Sequence, residues 1–283
     1  MKHKHILALG PHGFFRMAYT EWGDPANSRV LLCVHGLTRN GRDFDRIAQA
    51  LAGRWRVVCP DMPGRGESDW LEDKRDYAVP VYAGAIAALI AHLGVEQVDW
   101  LGTSMGGIIG MHIAALPRSP IRSLIVNDVG PFLPAAAIER IAAQLGESRF
   151  DSLDAVEERL RTRYASFGAL TDEDWRHLAE ISARPTGDGG FRMHYDPGIA
   201  DAMSGQKIAD IAFWPVWESI RCPVLALRVA ESDLLLAETA EEMSRRGPRA
   251  EVAVIPGCGH APALMDAHQI GVVRHWLEAA ADG

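Results

Sequence analysis

Residues 102–106, Gly-Thr-Ser-Met-Gly, combine a hydroxyl nucleophile with a glycine on either side. The apolar run from Val98 to Leu101 precedes them and a second apolar run begins at Gly107, which predicts a strand, a sharp turn and a helix. In a Gly-x-Ser-x-Gly turn of this kind the glycines let the strand and helix backbones approach closely, and the serine hydroxyl is pushed into an open cleft. The pattern therefore makes Ser104 a candidate nucleophile.

A serine hydroxyl needs an adjacent general base to become a nucleophile, and histidine is the usual one. The chain has eleven histidines, and His260 lies in a glycine-rich loop, 256–262, that follows the last predicted strand. Most of the others fall on predicted helices, near the N-terminus or in the 132–220 segment, and His35 ends a strand where we expect it to fix a loop. We therefore predict that His260 is the base.

The elements around these two residues alternate between buried strands and amphipathic helices. Alternation of this kind predicts a parallel, doubly wound sheet covered by helices on both faces. The predicted strands are Phe14–Trp22, Val30–Val34, Arg56–Cys59, Gln97–Gly102, Ile121–Asn127, Pro223–Val229 and Ala250–Ile255. We expect one core, formed by residues 1–131 and 221–283.

Between residues 132 and 220 the strand pattern stops and amphipathic helices take over, which predicts a helical lid inserted into the core. Its predicted helices are Ala135–Leu145, Leu153–Phe167 and Asp172–Ile181. The segment is rich in large apolar side chains, and some of them should face the cleft. The candidates for the substrate pocket are Met193, Tyr195, Trp214 and Trp217.

Two further motifs resemble those of the α/β-hydrolase family, and the resemblance covers nearly the whole chain. His35-Gly36 follows a buried strand, and residues 61–68, Asp-Met-Pro-Gly-Arg-Gly-Glu-Ser, are similar to the family's Asp-x-Pro-Gly-x-Gly-x-Ser turn. The resemblance implies a mostly parallel eight-stranded sheet with a helical lid. It also implies an oxyanion hole made by the backbone N–H groups of Leu37 and Met105.

The family's order of nucleophile, acid and base corresponds here to Ser104, Asp233 and His260. Asp233 follows the strand Pro223–Val229, at the usual position of the acid. Asp128 ends the preceding strand, a position that resembles the alternative acid site of some family members. We expect Asp233 to orient the imidazole, because Asp128 could simply cap the turn before Val129.

The resemblance implies acyl transfer to water through an acyl-enzyme, and within the family it favours a carboxylesterase acting on apolar esters. Some of the lid-bearing bacterial esterases that this chain resembles also accept aliphatic polyesters. A lactonase or thioesterase is the alternative. Carbon–carbon bond hydrolases fit less well, because Ala261 follows the histidine and Thr103 precedes the serine, where those enzymes usually carry an aromatic residue and an asparagine. A non-catalytic ligand receptor would not need the complete triad.

The formal net charge of -8 and the pI near 5.8 argue against nucleic acid or an anionic membrane as a partner. The N-terminal apolar run from Ile6 to Leu9 is too short for a signal peptide, and no apolar stretch is long enough to cross a membrane. We therefore predict a cytoplasmic protein whose partner is a small ester. The sequence indicates neither a cofactor nor a metal, since Gly64 and Gly66 complete no phosphate-binding pattern.

Overall fold

The computed structural model describes residues 1–165, 167–203 and 208–282. In chain order its strands are β1 (Lys2–Gly10), β2 (Gly13–Trp22), β3 (Val30–Val34), β4 (Arg56–Pro60), β5 (Val98–Thr103), β6 (Ile121–Asn127), β7 (Phe132–Leu133), β8 (Ala183–Pro185), β9 (Phe191–Met193), β10 (Ile211–Ala212), β11 (Val224–Val229) and β12 (Glu251–Ile255). Its α-helices are α1 (Asp45–Leu51), α2 (Val79–Leu93), α3 (Met105–Ala114), α4 (Ala135–Ala142), α5 (Leu153–Arg163), α6 (Asp172–Ser182), α7 (Trp214–Ser219), α8 (Ala237–Arg245) and α9 (Ala267–Asp282).

Eight strands form one sheet in the order β1-β2-β4-β3-β5-β6-β11-β12. The strands from β4 to β12 in this order run parallel, while β1 and β2 are antiparallel to their neighbours. The predicted mostly parallel, eight-stranded fold is therefore confirmed. Because parallel strands end at one edge, the loops that follow β3, β5, β6, β11 and β12 meet there.

The sequence analysis did not predict the strand β1. It pairs with β2 along its whole length, from Lys2 opposite Glu21 to Gly10 opposite Gly13. Ile6 and Ala8 face the core while Leu7 and Leu9 face solvent, so the apolar residues do not alternate with polar ones as they do in most half-buried strands. The pairing, rather than the side-chain pattern, defines this strand.

Both faces of the sheet are covered, which explains the uninterrupted apolar strands of its centre. In β3, Leu32 and Val34 belong to the core on one face, and Leu31 and Cys33 to the core on the other. Helices α2 and α3 pack on the first face, whereas α1 and α9 pack on the second. The sheet is thereby a rigid support for the loops at its edge.

The chain between β6 and β11 holds the helices α4 to α7 and two small antiparallel sheets, β7 with β10 and β8 with β9. Three of these helices lie where the sequence predicts them, and α6 begins with the expected capping box between Thr171 and Asp174. Helix α5 packs on α6, whereas α7 packs on α3 of the sheet region. Across the described ranges, no helix has the length and apolar character needed to cross a membrane.

Candidate active site

Ser104 lies between the end of β5 and the first residue of α3, in a sharp turn. Its backbone has φ 51° and ψ -113°, an unfavourable region for a residue with a side chain. A Cβ atom added to Gly102 would lie 2.3 Å from the carbonyl oxygen of Gly106, and one added to Gly106 would lie 2.0 Å from that of Val34. Only glycine fits at both positions, and the close packing holds the Ser104 hydroxyl at the edge of the sheet.

The loop that follows β12 brings His260 to this hydroxyl. The Nε2 atom of His260 lies 3.2 Å from Ser104 Oγ, a distance at which a proton can pass between them. Asn127, the last residue of β6, fixes the loop by donating from its amide nitrogen to Pro262 O and to Thr103 Oγ1, each at 3.0 Å. Asn127 therefore ties the histidine loop to the serine strand, a role that its sequence position alone did not reveal.

Asp128, not Asp233, lies against the other imidazole nitrogen. Its Oδ2 is 2.8 Å from His260 Nδ1. The carboxylate is fully buried, and it also accepts hydrogen bonds from the Val229 backbone N–H at 3.0 Å and from Ser232 Oγ at 2.8 Å. A buried acceptor on Nδ1 requires that nitrogen to carry the proton, which leaves Nε2 free to act as a base.

The expectation that Asp233 contacts the histidine is wrong. Asp233 points outward and forms a two-bond ion pair with Arg140 of α4, with distances of 2.5 and 2.8 Å. In the turn after β11 it is Ser232 that points inward to Asp128, and its hydroxyl also accepts from the backbone N–H groups of Leu234 and Leu235. The compact turn around Ser232 directs the next side chain to the surface.

The two expected oxyanion donors, Leu37 and Met105, belong to the loop after β3 and to the start of α3. Met105 is the first residue of α3, so its N–H has no acceptor within the helix. Leu37 lies in the loop after β3, beside Gly36, and a Cβ atom added to Gly36 would lie 3.7 Å from the Cβ of Ser104. The buried Arg65 guanidinium donates to Leu37 O at 2.8 Å and lies 3.6 Å from Met105 Sδ, so it supports both residues.

His35 holds the same loop without reaching the cavity. Burial lowers the pKa of His35 from 6.5 to about 3, so the ring is neutral at ordinary pH. Its Nδ1–H donates to Gly36 O at 2.7 Å, and its Nε2 accepts from the Met62 backbone N–H at 2.9 Å. The ring thus joins the Leu37 loop to the 61–68 turn.

A cavity of about 700 Å³ opens over Ser104 and His260. One wall consists of loops from the sheet edge and the other of residues from α4, α5 and α6 and the chain that joins them. The residues that the 132–220 segment contributes are Arg140, Ile141, Gln144, Arg163, Tyr164, Phe167 and Leu178. The wall is therefore partly apolar, with arginines among its polar groups.

None of the four apolar side chains expected in the pocket is among the described residues that line this cavity. Trp217 is fully buried and donates from its indole to Arg246 O at 3.0 Å, while the Trp214 ring stacks under the Arg246 guanidinium at 4.1 Å. Met193 and Tyr195 are buried in the core. The expectation is wrong because these side chains take part in buried packing and in contacts with Arg246, and the face toward the serine comes from α4 to α6 and the chain that joins them.

No group of three or more histidine, cysteine, aspartate or glutamate side chains within the described ranges is arranged to hold a metal ion.

Residues 31–273 match the model of the alpha/beta hydrolase family. The 3-hydroxybutyrate-oligomer hydrolase of Cupriavidus necator is 49% identical over 97% of this chain and 97% of its own. The 2-(acetamidomethylene)succinate hydrolase of Mesorhizobium japonicum is 29% identical over 82% of this chain and 81% of its own. Among solved structures, that of a Rickettsia typhi protein has a TM-score of 0.93 and 33% identity over 99% of both chains. These similarities extend over both the sheet and the 132–220 segment.

Proposed function

Because this chain belongs to the alpha/beta hydrolase family and is an esterase-type hydrolase, we propose that it cleaves the ester bonds of short 3-hydroxyalkanoate oligomers. The nucleophile is Ser104, the base is His260 and the orienting acid is Asp128. The observation that carries the proposal is the hydrogen-bonded series from Asp128 through His260 to Ser104, with distances of 2.8 and 3.2 Å, in which His260 and Ser104 line a cavity of about 700 Å³.

In the first half of the reaction, His260 Nε2 takes the Ser104 proton while Oγ attacks the ester carbonyl carbon. The N–H groups of Leu37 and Met105 stabilise the negative charge that develops on the carbonyl oxygen in the transition state. The imidazolium then gives its proton to the departing alkoxide, and an acyl-serine ester and an alcohol result. Water repeats the attack, and the carboxylic acid leaves as Ser104 regains its proton.

Asp128 acts through the imidazole. Its buried carboxylate holds the proton on Nδ1 and stabilises the imidazolium that forms during both halves of the reaction. The hydrogen bonds from Val229 and Ser232 keep the carboxylate in one orientation, so the imidazole is oriented before the substrate arrives.

We assign the 132–220 segment as a lid over the core formed by 1–131 and 221–283. Ile141, Phe167 and Leu178 supply apolar surface opposite Ser104, which suits the methyl groups and methylenes of a short aliphatic polyester. The relative that is 49% identical carries the name of a 3-hydroxybutyrate-oligomer hydrolase, and this supports the choice of substrate.

A hydrolysis panel tests the proposal. The substrates are linear 3-hydroxybutyrate dimer and trimer, a neutral butyrate ester, a butyryl thioester and a butyrolactone, each with the parent protein and Ser104→Ala. We expect the highest kcat/KM on the oligomers and loss of every activity in Ser104→Ala. A thioester or lactone favoured tenfold over the oligomers would replace the proposed substrate, and full activity in Ser104→Ala would refute the triad.

A further inference from the structure

Arginines contribute three of the side chains that line the cavity, and two of them are neutralised. Arg39 donates to both carboxylate oxygens of Asp43, at 2.6 and 2.8 Å. Arg140 does the same with Asp233. A guanidinium that already holds a carboxylate in both prongs of its fork has little to offer a ligand.

Arg163, the last residue of α5, differs from these two. Its Nη1 donates to the Gln144 carbonyl oxygen at 3.1 Å, and its guanidinium lies 5.4 Å from the Tyr164 ring. Its Nε is buried and has no hydrogen-bond partner. Glu157 and Asp172 pair with Arg161 instead, and no carboxylate of the described residues forms an ion pair with Arg163. The cavity thus contains a cation whose charge no carboxylate of the described residues balances.

The surroundings of Arg163 give it a fixed position. Burial raises the pKa of Tyr195, and both the charge of Arg163 and a side-chain hydrogen bond with it oppose this shift. Glu231 also lines the cavity but is exposed to solvent, where its charge is screened. The guanidinium faces the cavity with a charge that no carboxylate of the described residues neutralises, and the carboxylate of a ligand would form a charge-assisted hydrogen bond with it.

We propose that Arg163 binds the free carboxylate end of the substrate, so that the enzyme selects free-acid oligomers over neutral esters. This inference rests on the proposed function, since a linear 3-hydroxyalkanoate oligomer carries one carboxylate beside its ester bonds. The planar guanidinium suits a carboxylate, which accepts two parallel N–H bonds. Binding at Arg163 holds the oligomer by its end while its ester bond lies against Ser104 in the same cavity.

The test compares the 3-hydroxybutyrate dimer with its methyl ester, which differs only in the charge of the end group. The variants are Arg163→Gln, Arg163→Lys and a matched control, Arg159→Gln, one turn earlier on α5 and exposed to solvent. We expect Arg163→Gln to lower kcat/KM on the free acid by roughly 10- to 100-fold, mostly through KM, and to change it on the methyl ester by less than about threefold. Arg163→Lys should lie between them and Arg159→Gln should match the parent.

Equal losses on the free acid and the methyl ester would overturn the inference, because a merely structural role makes no distinction between them. No loss on either substrate would overturn it as well. A second measurement separates this inference from the choice of substrate. Inhibition of neutral butyrate ester hydrolysis by 3-hydroxybutyrate, compared with its uncharged amide, should favour the acid in the parent and lose that preference in Arg163→Gln, even if the oligomers are not cleaved.

Discussion

Asp128→Asn tests most directly which aspartate, Asp128 or Asp233, orients His260. The Asp128 carboxylate accepts from three donors, the Val229 N–H, the Ser232 hydroxyl and His260 Nδ1–H. An asparagine has a single oxygen. If that oxygen faces Val229, the amide N–H groups face His260 Nδ1 and hold the imidazole proton on Nε2, where it blocks the base. If the amide is flipped, two N–H donors oppose each other at Val229.

Either orientation removes the base or strains the strand end, and we expect a loss of about 10⁴ in kcat, the size seen when a triad acid is changed to its amide in a serine protease. The matched control is Asp233→Asn, which breaks only the Arg140 pair, whose side chains are 41% and 49% exposed. Asp233 does not contact His260, and a pair that exposed contributes about 0–1 kcal/mol, so activity should stay within about fivefold. Both variants are assayed with a neutral butyrate ester after their melting curves show that they fold. A large loss in Asp233→Asn with little loss in Asp128→Asn would refute the assignment.

Three further predictions concern acid, stability and the cavity wall. Hydrolysis should slow as the solution becomes more acidic, because an imidazolium cannot accept the serine proton, and a flat rate from about pH 8 to pH 5 would exclude a histidine base. Burial lowers the pKa of His35 to about 3, so below pH 6.5 the unfolded chain binds a proton more readily than the folded protein does. The free energy of unfolding therefore decreases as the pH falls below 6.5, by up to about 3 kcal/mol at pH 4.5. Chemical denaturation at several pH values gives the free energy of unfolding of the parent and of His35→Gln. We expect this free energy to fall less steeply with decreasing pH in the variant, and the same pH dependence in both proteins would contradict the prediction. Leu178→Ala on the cavity wall should change the chain-length preference among esters, whereas Trp217→Leu in the core should lower the melting temperature without changing that preference.

The pairing of Ser104 with His260 could be predicted because it depends on strand order and parallel direction. Each residue follows a strand whose apolar run is evident in the sequence, and parallel strands bring their following loops to one edge. The flanking glycines indicate the sharp turn directly. In this part of the chain, local pattern and tertiary structure agree.

The choice of acid could not be made in the same way. Asp128 and Asp233 both follow the carboxyl end of a strand, and β6 and β11 are neighbours in the sheet. What decides between them is the turn after β11, which turns Ser232 inward and the next residue outward. That difference of one residue depends on backbone hydrogen bonds that sequence spacing does not show.

The prediction of the residues that line the cavity was wrong for a different reason. Amphipathic spacing shows that a helix has a buried face, but it does not show whether that face meets the core or a cavity. Trp214 and Trp217 were expected in the pocket for their bulk, yet they seat α7 beside Arg246. The apolar residues that line the cavity include Ile141 and Leu178, which are less bulky than tryptophan and lie on helices whose other faces carry charge.

The most direct test of the central claim is the release of 3-hydroxybutyrate from its linear dimer by the purified parent protein and by Ser104→Ala, followed by mass spectrometry. We expect the parent to release monomer and the variant to be slower by roughly 10⁴- to 10⁶-fold, because removing the nucleophile disables the whole triad. Intact dimer after incubation with the parent, or monomer release by Ser104→Ala within tenfold of the parent, would contradict it.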